Sequence, residues 1–411
     1  MQVEKCGLLG GKLGHSFSPQ IHALLADYSY KLFPMPENEV GDFMKNGEWD
    51  AINVTIPYKE TVIPYLDTIS EEARLIGSVN TVVRGDDGKI HGHNTDFYGF
   101  SYLLDSQGFE VSGKKCIILG SGGSCKTVKS VLTSKGAGEI FIVSRSGEYN
   151  YENIHLLYDA EIIVNTTPVG MFPKNGERLL ELEKFTKCTG VADIVYNPAM
   201  TGLLLDAERL GIKYTNGLPM LVAQAKKACE IFKNEKLPDS IIEDILKKLR
   251  LQMMNVVLVG MPGCGKSTIG KLLSESLEHE LTDTDEEICK KGRTPSQIIT
   301  DDGEDAFRRI EHEAIEQTGK LSGKIIATGG GAVTRNENYE PLHQNGKIIF
   351  INRSPELLAT EDRPLSQREG VMKLYNTRLP MYRRFADAEV DGNGTPEEVA
   401  QKIILALKGI V

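Results

Sequence analysis

No stretch of this 411-residue chain approaches the ~18 consecutive apolar side chains that a membrane-spanning helix needs. The opening residues, MQVEKCGLLGGKLGHS, lack the long apolar core of a secretory leader. Cysteine is sparse: seven residues, an odd number, lie scattered from Cys6 to Cys289 without a CxxC pair. That pattern argues against a disulfide framework and fits reduced thiols in a cytosol. Long basic runs are missing and the formal net charge is -10, which argues against a surface built to neutralise nucleic-acid phosphates. Internal repeats, low-complexity tracts and Gly/Ser-rich linkers are absent as well. What these absences leave is small-molecule chemistry in a cytoplasmic protein, with neither nucleic acid nor membrane as a partner.

The length suggests roughly two to four domains, and 40% hydrophobic residues suffice for sizeable cores. Short runs rich in Ile and Val, such as Cys116 to Leu119, Ile140 to Val143, Ile162 to Val164 and Ile348 to Ile351, alternate with helical patterns. The alternation predicts an α/β fold of parallel sheets with crossover helices. Apolar residues at helical spacing predict a helix from Asp239 to Leu251, with a domain boundary near Met253.

Two glycine-rich stretches stand where strands should end, GSGGSCK from Gly120 and GMPGCGKS from Gly260. Two nucleotide sites are therefore expected. In the second, Gly260, Gly263, Gly265, Lys266, Ser267 and Thr268 match the phosphate-loop pattern between a strand and a helix. Backbone N–H groups converge there on phosphate, Lys266 reaches the β and γ oxygens, and the Ser267 hydroxyl can ligate magnesium. A GTPase would carry an NKxD-type guanine motif, and this chain has none.

Five motifs beyond the loop indicate the phosphoryl acceptor: DTD at Asp283 to Asp285, GEDAFRRIE from Gly303, ATGGG from Ala327, RPL at Arg363 to Leu365 and RLPMYRRFAD from Arg378. Together, from about Asn255 to the C-terminus, these motifs resemble shikimate kinase. The resemblance implies that Asp283 lies near Mg2+ and that Asp285 binds the substrate hydroxyls and orients or deprotonates the attacking one. Arg308 and Arg378 are implied to clamp the substrate carboxylate, as guanidinium forks do. Gly330 and its neighbours allow close backbone approach to the substrate. Arg363 is implied to come from a lid over ATP, although ELLATEDRPLS is shorter than the family's lid and lacks its upstream Arg.

Ahead of this unit stand HSFSPQIH from His15, NVTIPYK from Asn53, GSVNT from Gly77 and GHNTDFYG from Gly92, then GSGGSCK, NTTPVGM from Asn165, DIVYNP from Asp193 and GLPMLVAQA from Gly217. This ordered array resembles shikimate dehydrogenase over essentially residues 1–252. Reduction of a ketone requires a proton donor at the developing alkoxide, and a lysine positioned by a carboxylate can serve. The resemblance makes Lys59 that donor and Asp96 its partner. It gives Ser16, Ser18 and Tyr196 to the substrate carboxylate, and Thr55, Asn80 and Gln224 to its hydroxyls and carbonyl.

For the dinucleotide, Gly120, Gly122 and Gly123 open a helix at whose N-terminus pyrophosphate should sit, with Lys126 and Gly217 also placed at the cofactor. The third fingerprint position is Cys125 rather than Gly or Ala. Arg145 stands where an NAD enzyme would place an acid on the ribose, which favours the 2′-phosphate of NADPH, although Glu148 follows closely. His91 and His93 could chelate a metal from one side of a strand, but no third ligand is spaced to join them.

The sequence thus reads as two enzymes in one chain. The first is a two-lobed dehydrogenase with a substrate lobe of residues 1–100 and about 215–252 and a Rossmann-like NADP lobe of about 101–214. The second is a P-loop kinase at 253–411, its parallel sheet flanked by helices. NADPH, ATP and Mg2+ are the implied cofactors, and 3-dehydroshikimate and shikimate the implied substrates. The alternatives are a quinate/shikimate dehydrogenase joined to another small-molecule kinase, or a half retained only as sensor or scaffold, although Lys59, Asp96, Lys266, Ser267 and Asp285 are all present.

Overall fold

Strand formation follows the apolar runs closely in this computed structural model, which describes residues 3–14, 16–290, 292–358 and 370–410. The chain divides into two compact units: Met1–Val169 with Arg178–Tyr196 and Asp206–Leu246, and Gly170–Glu177 with Asn197–Leu205 and Lys247–Val411.

The first unit holds two sheets. One contains β1 (Lys5–Gly10), β2 (Ser29–Pro34), β3 (Ala51–Val54), β4 (Thr68–Ile69), β5 (Thr81–Arg84) and β6 (Ile90–His93), in the order β2-β1-β3-β5-β6-β4. The alternation of runs predicts a parallel sheet, and this one departs from it: β5 pairs antiparallel with both β3 and β6. The reason is connection length. Gly85 to Lys89 joins β5 to β6, with Gly88 at a φ of +77°, whereas a parallel return needs a crossover of roughly a dozen residues. Leu9, Trp49, Val54 and Val82 pack in one core of this lobe, and Cys6, Ala51, Ala228 and Phe232 in another.

The second sheet is parallel, as expected. It contains β7 (Lys115–Leu119), β8 (Glu139–Val143), β9 (Ile162–Asn165), β10 (Gly190–Asp193) and β11 (Lys213–Thr215), in the order β11-β10-β9-β7-β8. The chain order reverses direction between β7 and β9, and the glycine turn after β7 opens at that switch point, where doubly wound sheets bind ligands.

The second unit contains β12 (Asn255–Val259), β13 (Glu280–Asp283), β14 (Lys324–Ala327), β15 (Gly346–Asn352) and β16 (Ala388–Asp391). All pair in parallel, in the order β13-β14-β12-β15-β16. β12 is central and wholly buried, which is why NVVLV is apolar without alternation. The helix expected from Asp239 to Leu251 runs from Ser240 to Met253, and Met254 alone separates it from β12. Among the described residues, no helix is long and apolar enough to cross a membrane.

Candidate active sites

In the first unit, the turn after β3 and the start of the helix Asp96–Ser106 bring two charged groups together. Lys59 Nζ lies 2.6 Å from Asp96 Oδ2. The Asp96 side chain is only 8% exposed and the Lys59 side chain 25%, so the pair is largely shielded from solvent. Asp96 stands in the first turn of its helix, where the dipole favours a carboxylate, and its N–H donates to Asn94 Oδ1 at 3.1 Å. Both residues line a cavity of about 750 Å³.

The same cavity gathers most of the residues singled out in the sequence. Ser16, Ser18 and Thr55 line it, and Ser16 Oγ accepts from the Ser18 N–H at 3.2 Å. Asn80 is fixed within it: its Oδ1 accepts from the Thr95 N–H at 2.7 Å, and its Nδ2 faces Gln224 Oε1 at 3.5 Å. Tyr196 joins the lining and packs edge to face on Phe17 at 5.9 Å, and burial raises its phenol pKa.

The bare glycines face the cavity too. Gly122 and Gly123 line it, and a Cβ at either would meet nothing within 4 Å. No side chain caps the helix Gly123–Ser134, so its N-terminal N–H groups remain available for a pyrophosphate, and the arrangement fits a dinucleotide. Gly120, outside this lining, makes the turn at φ +101°. Gly217 lines the cavity but has a packing reason to be glycine, since a Cβ there would sit 2.0 Å from the Ile194 carbonyl oxygen.

Lys126 and Arg145 lie away from the lining. Lys126 Nζ pairs with Glu60 Oε1 at 2.7 Å, and Arg145 is exposed in the turn after β8. His91 is engaged at both ring nitrogens, by Thr68 Oγ1 at 2.7 Å and Asp87 Oδ1 at 3.2 Å.

In the second unit, a cavity of about 640 Å³ lies at the carboxyl ends of β12 and β13 and the start of the Gly329–Gly331 turn after β14. Gly260, Gly263 and Gly265 all have positive φ, and Gly263, Gly265, Lys266, Ser267 and Thr268 line the cavity. Lys266 Nζ donates to the carbonyls of Gly260 at 2.9 Å and Met261 at 3.1 Å, so the ammonium is held inside the loop. Without a side-chain cap, the helix Lys266–Leu277 leaves its first N–H groups for phosphate. Ser267 Oγ donates to Asp283 Oδ2 at 2.6 Å. Two hard oxygens so close, beside a phosphate loop, fit Mg2+, which takes one or two carboxylates plus phosphate and water.

Asp283 also caps the short helix Thr284–Cys289 by accepting the Asp285 N–H at 2.9 Å, which turns Asp285 inward. Burial pushes the Asp285 carboxyl up to about 6, with the charges of Asp283 and Glu311 adding to the rise. Its Oδ1 is buried without a hydrogen-bond partner, as is Oε1 of Glu311. Both oxygens crowd the spot where a Cβ on Gly329 would lie, 3.0 Å and 2.5 Å away respectively.

Arg308 and Arg378 line the cavity and are 6% and 5% exposed. Arg378 Nη1 donates to the Gly330 carbonyl at 3.0 Å, and Gly330 lies against Pro262, which leaves no room for a side chain. Arg308 is bound by Glu311 at 2.7 Å and Glu304 at 2.9 Å. Arg363 lies outside the described residues.

Sequence reasoning did not single out Glu311, Glu304, Glu60 or His22. Helical spacing would have found the first two, at i+3 and i−4 from Arg308. His22 lines the dehydrogenase-side cavity, stacks on Tyr30 at 4.1 Å and shares a 2.6 Å hydrogen bond with the Tyr28 hydroxyl.

Comparison with known proteins finds a family for each part of the chain. The model of the shikimate dehydrogenase substrate binding domain matches residues 8–82, and the shikimate kinase model matches residues 262–408. The NADP(+) shikimate dehydrogenase of Clostridium perfringens strain 13 is 37% identical over 265 residues, covering 59% of this chain and 97% of the relative. The chain belongs to the shikimate dehydrogenase family. It carries a shikimate kinase domain after the dehydrogenase part. Among solved structures, the chorismate mutase/shikimate 5-dehydrogenase fusion protein from Clostridium acetobutylicum superposes with a TM-score of 0.57 at 36% identity. The match covers 61% of this chain and 98% of that one. Shikimate 5-dehydrogenase from Listeria monocytogenes, solved with shikimate and NAD, gives 0.54 at 32% identity, with 59% and 96% covered.

Proposed function

We infer that this shikimate-pathway enzyme performs two consecutive reactions, with residues 1–252 reducing 3-dehydroshikimate to shikimate and residues 253–411 phosphorylating shikimate to shikimate 3-phosphate. NADPH, when bound, supplies the hydride, and ATP with Mg2+ supplies the phosphoryl group. The contact that carries the dehydrogenase reading is Lys59 Nζ at 2.6 Å from Asp96 Oδ2, inside a cavity shared with the bare Gly122–Gly123 backbone.

As the ketone is reduced, Lys59 donates a proton to the oxygen that becomes the hydroxyl, and Asp96 aims the ammonium and balances its charge. Ser16, Ser18 and Tyr196 hold the substrate carboxylate, while Thr55, Asn80 and Gln224 fix its ring oxygens. Gly120, Gly122, Gly123 and Gly217 hold the dinucleotide, and Arg145 favours its 2′-phosphate.

In the kinase, Asp285 accepts the proton of the attacking hydroxyl, a role suited by a carboxyl raised toward neutrality. Gly260, Gly263, Gly265 and Thr268 cradle phosphate, Lys266 and Arg363 balance its charge, and Ser267 and Asp283 hold the metal. Arg308, Arg378 and the Gly330 backbone orient the carboxylate and ring.

A net charge of -10 and seven free cysteines support a cytoplasmic enzyme whose partners are small molecules rather than nucleic acid or membrane. Replacement of Lys266 by Ala tests the division of labour: ADP formation should vanish while NADPH oxidation continues at the parent rate. Loss of both activities in a folded variant would contradict the two-enzyme reading.

A further inference from the structure

Arg308 is engaged by two carboxylates before any substrate arrives. Its Nη1 holds Glu311 Oε2 at 2.7 Å and its Nη2 holds Glu304 Oε1 at 2.9 Å. The guanidinium also lies hard against the Gly331 backbone, where a Cβ would come within 2.0 Å of Nη1. Arg308 therefore faces two carboxylates, of which Glu311 lines the cavity together with Lys266, Arg378, Asp283 and Asp285. A third carboxylate drawn to the same guanidinium would set three anions about one cation in a poorly solvated place, and that repulsion favours the release of a resident anion.

The two differ in freedom to do so. Glu311 is 0% exposed and sits in the second turn of the helix Glu304–Gly319. Glu304 is 45% exposed, is the first residue of that helix, and can turn its carboxylate into water. We propose that Glu304 occupies on Arg308 the place of the substrate carboxylate, and that substrate binding exchanges one carboxylate for the other. The proposal rests on the kinase reading and names a specificity-determining residue for it. Glu304 adds a second anion to a guanidinium that Glu311 already pairs, and an anionic ligand competes with it for that place. A neutral analogue leaves Glu304 in place and gains nothing from Arg308.

The test is steady-state phosphorylation by the full chain at saturating ATP and Mg2+, with shikimate and its neutral methyl ester as alternative acceptors. Glu304→Gln removes the competing charge. Its KM for shikimate should fall about two- to fivefold, the range expected for releasing a partly exposed ion pair. Its kcat, its KM for ATP and its KM for the ester should stay at parent values. The same substitution removes an acid from a helix first turn and should lower thermal stability slightly, so binding and stability move in opposite directions. Glu304→Asp keeps the helix-start charge but withdraws it by one methylene, and should lower the shikimate KM without the loss of stability. An unchanged or raised shikimate KM in both variants, or an equal fall for the ester, would overturn the proposal. Failure of the unaltered chain to phosphorylate shikimate would instead overturn the kinase reading beneath it.

Discussion

Lys59 and Asp96, separated by 37 positions in the chain, meet in a 2.6 Å ion pair that is shielded on the carboxylate side and open enough on the ammonium side to reach a ligand. A structural lysine would more commonly extend its ammonium into water. Lys59→Ala, which removes the proposed proton donor, should lower kcat for dehydroshikimate reduction by about 10²- to 10⁴-fold, the range for general acid catalysis. Asp96→Asn should have a smaller effect. Stopped-flow NADPH oxidation measures both, and phosphorylation of added shikimate by the same samples should be unaffected.

Arg378 is buried, lines the kinase cavity and is anchored through Nη1 on the Gly330 carbonyl. Arg378→Ala should raise the shikimate KM about ten- to a hundredfold, corresponding to a charge-assisted contact of roughly 1.5–3 kcal/mol. The KM for ATP should change little. Equal losses for both ligands would place the residue's role elsewhere.

Cofactor choice should depend on Arg145, exposed at the carboxyl end of β8. Arg145→Ala should raise the KM for NADPH while leaving that for NADH nearly constant, which narrows the preference between them. Parallel initial-rate series with the two cofactors provide the check.

His22 gives the dehydrogenase unit a calculable acid sensitivity. It is 1% exposed, and burial pushes its imidazole down to about 3. Below the unfolded value near 6.5 the unfolded chain takes up a proton that the folded chain refuses. Stability is therefore full above about pH 6.5 and is lost as pH falls toward 3, at up to about 1.4 kcal/mol per pH unit for this one group. Trp49, the single tryptophan, is 2% exposed in the same unit and reports its unfolding. Urea titrations followed by its fluorescence at pH 6.5 and pH 5 should show a smaller loss for His22→Gln than for the parent.

Much of this was legible in the sequence because it depends on local rules. The run NVVLV before GMPGCGKS specifies a buried strand, a glycine loop and an uncapped helix start without reference to the rest of the chain. Lys59 and Asp96 could be named from motifs, whereas their contact required the fold to close the turn after β3 against the helix start at Asp96. The antiparallel β5–β6 hairpin was missed because period and composition do not distinguish strand direction; the short turn from Gly85 to Lys89 carried that signal. Glu304 and Glu311 were hidden for another reason. A Glu on a helix is most often solvated, and only the burial of Arg308 between them makes their charges matter.

The central claim is that one chain converts 3-dehydroshikimate to shikimate 3-phosphate. The most direct measurement supplies the purified full chain with 3-dehydroshikimate, NADPH, ATP and Mg2+, and tracks NADPH loss and phosphorylated product separately. NADPH should disappear in equal amount to the shikimate and shikimate 3-phosphate formed, and a Lys59→Ala sample should make the phosphate only when shikimate is added. NADPH loss without phosphorylated product, or no NADPH loss while added shikimate is still phosphorylated by the parent chain, would contradict it.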